Sequence, residues 1–128
     1  MLIGLLEDDL AIQEMLRLVL ECVGHEVILY ATAEACLTAL QVTEPTAGPF
    51  SPDLFIVDLR LPKSASGLEV IELIRANPRL SSLPIILMTA STFPDTQELE
   101  RLHVALLTKP FDIDEVVRLV DKLTSQRR

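Results

Sequence analysis

Five polar positions follow short apolar runs: Glu7 and Asp8 after Leu2–Leu6, Asp58 after Leu54–Val57, Thr89 after Ile85–Met88, and Lys109 after Leu106 and Leu107. If those runs are parallel strands of one sheet, the five side chains emerge at its carboxyl edge, where open α/β sheets bind ligands. Three carboxylates gathered there would repel one another, so the cluster calls for a cation. Hard oxygen donors at that density suit Mg²⁺. Thr89 and Lys109 add a hydroxyl and a positive charge, the groups that would receive a phosphoryl. The chemistry this implies is phosphoryl transfer to Asp58.

The elements that must position these residues are legible as alternating strand and helix. Leu2–Leu6 is almost continuously apolar, as expected of a strand covered on both faces. From Asp9 to Val23, Ile12, Leu16, Val19 and Val23 recur at helical spacing, and Gly24 stands where a helix would stop. Glu26–Tyr30 reads as the second strand. Thr32 can cap a helix running to about Val42, and Thr43–Pro52, with three prolines and a glycine, reads as a loop. Leu54–Val57 is a third strand and Gly67–Ala76 a third helix, ending before Asn77-Pro78 because a residue preceding proline avoids helical geometry. Ile85–Met88 and Val104–Leu107 are the last strands, with room for only a short helix between Pro94 and Leu102. Asp112 with Glu115 resembles a capping box, and Val116, Leu119, Val120 and Leu123 form the buried stripe of the last helix. Five βα units imply a doubly wound α/β fold, a five-stranded parallel sheet with five helices over its two faces.

Leu5-Leu6-Glu7-Asp8-Asp9, Phe55-Ile56-Val57-Asp58-Leu59-Arg60-Leu61-Pro62, Ile86-Leu87-Met88-Thr89-Ala90 and Leu107-Thr108-Lys109-Pro110-Phe111 occur in this order and at domain-scale spacing. Each motif alone is weak, but together they resemble a response-regulator receiver domain over essentially the whole chain, a single domain spanning residues 1–128. The resemblance implies a flavodoxin-like strand order, 2-1-3-4-5, with Asp58 as phosphoacceptor. It implies Mg²⁺ held by Asp8 and Asp58, by Glu7 through water and by the backbone carbonyl of Arg60, with Thr89 and Lys109 on the phosphoryl group. The donor would be a phosphohistidine on a sensor histidine kinase or phosphotransfer protein. The outcome would be a timed switch of protein contacts with an output protein, including a phosphorylation-dependent homodimer. Such a domain is not an enzyme for an external substrate, because it catalyses only its own phosphorylation and dephosphorylation. A cis bond between Lys109 and Pro110 is also implied.

Three departures stand out from that pattern. Gly67 lies nine residues after Asp58, where the family usually places a glycine at eight, so the loop from Lys63 to Ser66 carries an extra residue. The stretch from Thr89 to Lys109 is about two residues short, which limits the fourth helix to about two turns. Leu106 stands where an aromatic residue is common.

Blander roles compete at each position. An acidic run is most often solvated or a helix cap; Asp9 is assigned the cap, and Glu7 and Asp8 the metal, a split the family alignment supports. Thr89 ending a strand needs no functional explanation by itself, and its place rests on the resemblance. His25 and His103 precede strands, at the amino edge, on the wrong side of the sheet for this chemistry. Ser64-Ala65-Ser66 has no histidine nearby to activate a nucleophile and reads as a loop. A Mg²⁺-dependent phosphohydrolase using Asp58 would want a carboxylate two residues on, where Arg60 stands. A degenerate, phosphorylation-independent binding domain is opposed by the intact acidic cluster.

Composition narrows the field further. The 128 residues predict one domain, and a formal net charge of -8 would repel nucleic-acid phosphates. No apolar stretch approaches the about 20 residues of a membrane span, and the N-terminus lacks the basic region of a signal peptide, so a cytoplasmic location is expected. Cys22 and Cys36 fall in predicted helices without CxxC spacing and are expected to pack as small apolar residues.

Overall fold

Apolar runs of four or five residues can be removed from water only by pairing side by side under a cover of helices, and that is the arrangement adopted. A computed structural model describes residues 2–7, 9–30, 53–58, 67–76, 82–89, 96–108 and 111–126. In chain order these form β1 (Leu2–Leu6), α1 (Leu10–Cys22), β2 (Glu26–Tyr30), β3 (Leu54–Asp58), α2 (Gly67–Ala76), β4 (Ile85–Thr89), α3 (Thr96–Leu102), β5 (Ala105–Thr108) and α4 (Ile113–Gln126). The strands form one parallel sheet in the order β2-β1-β3-β4-β5, the flavodoxin-like order. The helix expected from Thr32 to Val42 and the loop after it lie outside the described residues, so four of the five expected helices are described.

Burial follows position in the sheet. Every residue of β3 and β4 is buried, whereas the outer strands β2 and β5 are only partly covered. The two-residue alternation of a strand divides the apolar residues between two cores. On one face Ile3, Leu5, Ile56 and Met88 pack with Leu16 and Leu20 of α1 and Val116 and Val120 of α4. On the other, Leu6, Phe55, Val57 and Leu87 pack with Val70, Ile71 and Ile74 of α2 and Leu102 of α3.

The ends of α1 match their sequence signals. The Asp9 side chain accepts from the N–H groups of Ala11 and Ile12 at 2.8 and 3.2 Å. At the other end Gly24 takes φ +96, its N–H donates to the Glu21 carbonyl, and the His25 N–H reaches back to Leu20 at 3.0 Å. This paired closure needs a left-handed residue, which glycine adopts without cost to a side chain. The buried stripe differs from the expected one. Val23 is the C-cap, outside the helix, and is 48 % exposed. Cys22 is also exposed, contrary to its expected packing, because two helical positions rotate it about 200° from Leu20. Cys36 lies outside the described residues.

α3 ends at Leu102 as expected, and β5 is shifted by one residue. His103 terminates α3 at φ 55 and Val104 completes the turn, so β5 begins at Ala105. α3 has seven residues, about two turns, as its short segment requires. It is too short to persist by its own hydrogen bonds and is held from outside. Arg75, at the end of α2, donates to the carbonyls of Leu102 at 2.7 Å, His103 at 3.0 Å and Leu83 at 2.7 Å. Burial lowers the pKa of this guanidinium from its ordinary value. Nothing in the sequence pattern marked Arg75 for this role.

Gly4 in β1 lies between Ile28 and Phe55 of the neighbouring strands. The Phe55 ring passes over it to stack on Tyr30, with ring centroids 5.9 Å apart and planes 10° from parallel. A Cβ on residue 4 would meet Phe55 Cε2 at 2.8 Å, so the absent side chain is what admits the ring. Gly4→Ala is expected to cost about 1–3 kcal/mol by urea denaturation. Phe55→Leu should recover part of that loss in the double variant; strictly additive losses would contradict the packing account.

Candidate functional site

Parallel register sets the carboxyl edge. β1 pairs with β3 through Leu6 and Val57, which places Glu7 beside Asp58 one step further on. On the other side of β1 the Glu7 N–H donates to the Tyr30 carbonyl of β2 at 3.2 Å, so Glu7 still continues the strand. β3 pairs with β4 through Asp58 and Met88, one residue before Thr89, and Thr89 in turn pairs with Thr108, one before Lys109. Neighbouring strands lie about 4.8 Å apart, so these ends form one short row. By the same two-residue alternation Glu7 follows Ile3 and Leu5, and Asp58 follows Leu54 and Ile56. The two acids thus belong to the α1 and α4 face.

Glu7 is 1 % exposed, Asp58 5 % and Thr89 2 %. Carboxylates so far removed from water are costly unless hydrogen bonds or a cation compensate them. Part of the compensation for Glu7 comes from its own turn, where Oε1 accepts from the Asp9 N–H at 3.3 Å. Asp9 is itself the helix cap, so the described acids of this turn divide between the helix and the edge. Two buried carboxylates at adjacent strand ends are hard oxygen donors that fit a small divalent cation. Among the described residues no group of three His, Cys, Asp or Glu side chains converges; Asp8 lies outside them. Arg60, Lys109 and the bond from Lys109 to Pro110 lie outside as well, as does the Ser64–Ser66 stretch. Of the residues singled out from the sequence, the structure sets Glu7, Asp58 and Thr89 along one edge, the two acids in the alternation of the α1 and α4 face and Thr89, after Ile85 and Leu87, in that of the other.

Both histidines stand at the amino edge, His25 just before β2 and His103 just before β5. Burial lowers the pKa of His25, helped by the N-terminal amino group and opposed by Asp121. One residue of the site region escaped the sequence reading. Gln13 is buried on α1, and its Nε2 donates to the backbone carbonyl of Glu7. The available signal was a polar residue interrupting the stripe of Ile12, Leu16 and Leu20.

A five-stranded parallel sheet in the order β2-β1-β3-β4-β5, covered by helices on both faces, defines a flavodoxin-like α/β domain. The chain belongs to the response regulator receiver domain family, whose model matches residues 3–121. It is 30 % identical to the response regulator Rcp1 of Synechocystis sp. over 92 % of this chain and 80 % of that protein. It is 28 % identical to the DNA-binding dual master transcriptional regulator RpaA of the same organism over 93 % of this chain, and there spans only 47 % of the relative. Among solved structures, the Mn²⁺-bound form of Rcp1 matches with a TM-score of 0.77 at 30 % identity, covering 97 % of this chain and 91 % of that one. The phosphorylated cyanobacterial phytochrome response regulator RcpA matches with a TM-score of 0.77 at 28 % identity, over 95 % and 89 %. The chain is thus a response regulator receiver domain of two-component systems.

The division of labour between Asp9 and the acids beside it can be checked by stability alone. Asp9→Ala should cost about 1 kcal/mol in chemical denaturation, and Asp9→Asn far less, because asparagine caps about as well as aspartate. Equal losses in the two variants would show that Asp9 contributes through its charge and not as a cap.

Proposed function

We propose that this receiver domain accepts a phosphoryl group on Asp58 and uses it to switch protein contacts. The observation that carries the reading is the pair of buried carboxylates, Glu7 and Asp58, in register at the carboxyl edge of a receiver-family sheet with Thr89 on the next strand. The residues fit a cation site in which Glu7, Asp8, Asp58 and the backbone carbonyl of Arg60 would hold Mg²⁺. Mg²⁺ bound there supplies charge neutralisation for the phosphoryl oxygens. The Mn²⁺-bound form of Rcp1 supports a divalent cation in this family member's close kin, and phosphorylated RcpA supports the modification.

The donor is a phosphohistidine on a sensor histidine kinase or phosphotransfer protein. An Asp58 carboxylate oxygen attacks phosphorus as the phosphorus–nitrogen bond breaks, and the imidazole leaves with that electron pair and takes up a proton. An acyl phosphate results. The Thr89 hydroxyl donates to one phosphoryl oxygen and Lys109 offers its charge to another, so the chain's own work is mainly positioning and neutralisation. Water later attacks phosphorus, releases phosphate and regenerates the carboxylate, which makes the domain a timed switch and not an enzyme for an external substrate. Arg60, where a phosphohydrolase would want a second acid, agrees with this.

Output passes through protein contacts, with another protein or a second copy of the chain. A net charge of -8 opposes DNA binding by this surface, whatever the longer relatives carry. No helix among the described residues is long and apolar enough to cross a membrane, which agrees with a cytoplasmic setting for one receiver domain over residues 1–128.

Asp58→Asn is expected to fold and to take no phosphoryl group from acetyl phosphate in the presence of Mg²⁺, read by intact mass. Labelling equal to that of the unaltered chain would remove Asp58 as acceptor.

Leu106 is 41 % exposed and borders an open groove of about 320 Å³ between β5 and α4. It is smaller than an aromatic residue and has no hydroxyl, so it gives little bias to a two-state equilibrium. With beryllofluoride as phosphoryl mimic, Thr89→Ala should abolish most of the NMR changes at Ser91 to Pro94, and Leu106→Ala should leave them largely intact. Equal loss in both variants would make residue 106 the coupling element.

A further inference from the structure

Gln13 is an amide on the apolar side of α1, 8 % exposed and a turn away from Leu16. A buried amide is costly unless its hydrogen bonds are met, so its retention among apolar neighbours needs a reason. Its Nε2 donates to the Glu7 carbonyl, and its backbone N–H donates to the Asp9 carbonyl at 2.9 Å. One residue therefore grips the β1–α1 turn on both sides of position 8. The helix does not need the side-chain bond: Asp9 already serves the N–H groups of Ala11 and Ile12, and the backbone bond from Gln13 opens the helical ladder. What the amide adds is control of the Glu7 carbonyl. Because the peptide unit is planar, fixing that carbonyl fixes the plane in which the chain leaves Glu7 at the end of β1. A neutral donor does this without placing a competing positive charge beside a cation site, as lysine or arginine would.

We propose that Gln13 is a positioning residue that holds the Glu7-Asp8 turn in the geometry needed for a divalent cation. The proposal rests on reading the carboxyl edge as the metal-assisted acceptor site. Gln13 acts through the backbone of Glu7, and residues that orient ligands in this way are typically worth about 10- to 100-fold in metal affinity.

Gln13→Met keeps the length and helix propensity of glutamine and removes the donor. On the whole chain, Mg²⁺ affinity by titration calorimetry should fall about tenfold or more. In the metal-free protein the ¹³C′ resonance of Glu7 should move while the capped amides of Ala11 and Ile12 stay in place. Leu20→Ala, on the same face of α1 but at its far end, serves as the control. It should destabilise the fold at least as much and leave Mg²⁺ affinity within about twofold, since cavity creation acts locally on packing. Gln13→Leu, also without a donor, carries the same expectation where Gln13→Met fails to fold. Mg²⁺ binding that is lost in Asp58→Asn but unchanged in both Gln13 variants would overturn the role of Gln13 and leave the acceptor site standing. Equal weakening by Leu20→Ala would also overturn it. An unaltered chain that binds no Mg²⁺ would overturn the site reading and this proposal together.

Discussion

Burial of the central strands on both faces is the constraint from which the rest of the structure follows. β3 and β4 expose almost nothing, so their residues must alternate into two separate cores, and each core needs its own cover of helices. Parallel pairing with right-handed crossovers then puts all strand ends of one polarity on one edge. Because backbone register admits no one-residue slip without turning both faces inside out, Glu7, Asp58 and Thr89 are placed as firmly as the core itself. The site is in this sense a by-product of the packing, and its acids sit where the apolar alternation ends.

That placement carries an electrostatic cost. Glu7 and Asp58 are carboxylates with almost no access to water, side by side on neighbouring strands. A fold built for stability alone would place apolar residues there. The turn after β1 responds by using its polar groups twice: Asp9 caps α1, its N–H donates to Glu7, and Gln13 holds the Glu7 carbonyl. Glu7 is thereby held at both its carboxylate and its backbone carbonyl.

The amino edge is organised differently. There Arg75 gathers three backbone carbonyls from Leu83, Leu102 and His103, and Asp53 exchanges two hydrogen bonds with Leu2, its N–H to the Leu2 carbonyl at 2.7 Å and its carboxylate accepting from the Leu2 N–H at 2.9 Å. These contacts tie loops to strands at the end of the sheet that carries no candidate chemistry. α3, with seven residues, is fastened here by Arg75, and the exposed Arg101–Glu72 ion pair at 3.5 Å adds little to that.

The sequence by itself determined the described elements, with several ends displaced by a residue, because those rest on local physics. Alternation gives strands, Asp9 and Gly24 bound a helix, and a capping pair at Asp112 and Glu115 opens α4, with the Glu115 carboxylate accepting from the Asp112 N–H at 3.2 Å. It also named the candidate site residues, of which Glu7, Asp58 and Thr89 lie among the described ones, since polar residues at the ends of apolar runs are visible without knowing which strand lies beside which. The strand order itself came from the family pattern and not from periodicity, because a parallel sheet of five similar strands leaves its order open until long-range contacts choose one. Only tertiary structure decided that Gly4 must lack a side chain, as the reason is the Phe55 ring from a strand far away in sequence. It likewise decided that Val23 and Cys22 face solvent, that His103 takes a left-handed turn, and that Arg75 and Gln13 spend their side chains on backbone carbonyls. Each of these depends on where another segment passes, and helical or strand spacing within one segment contains no record of that.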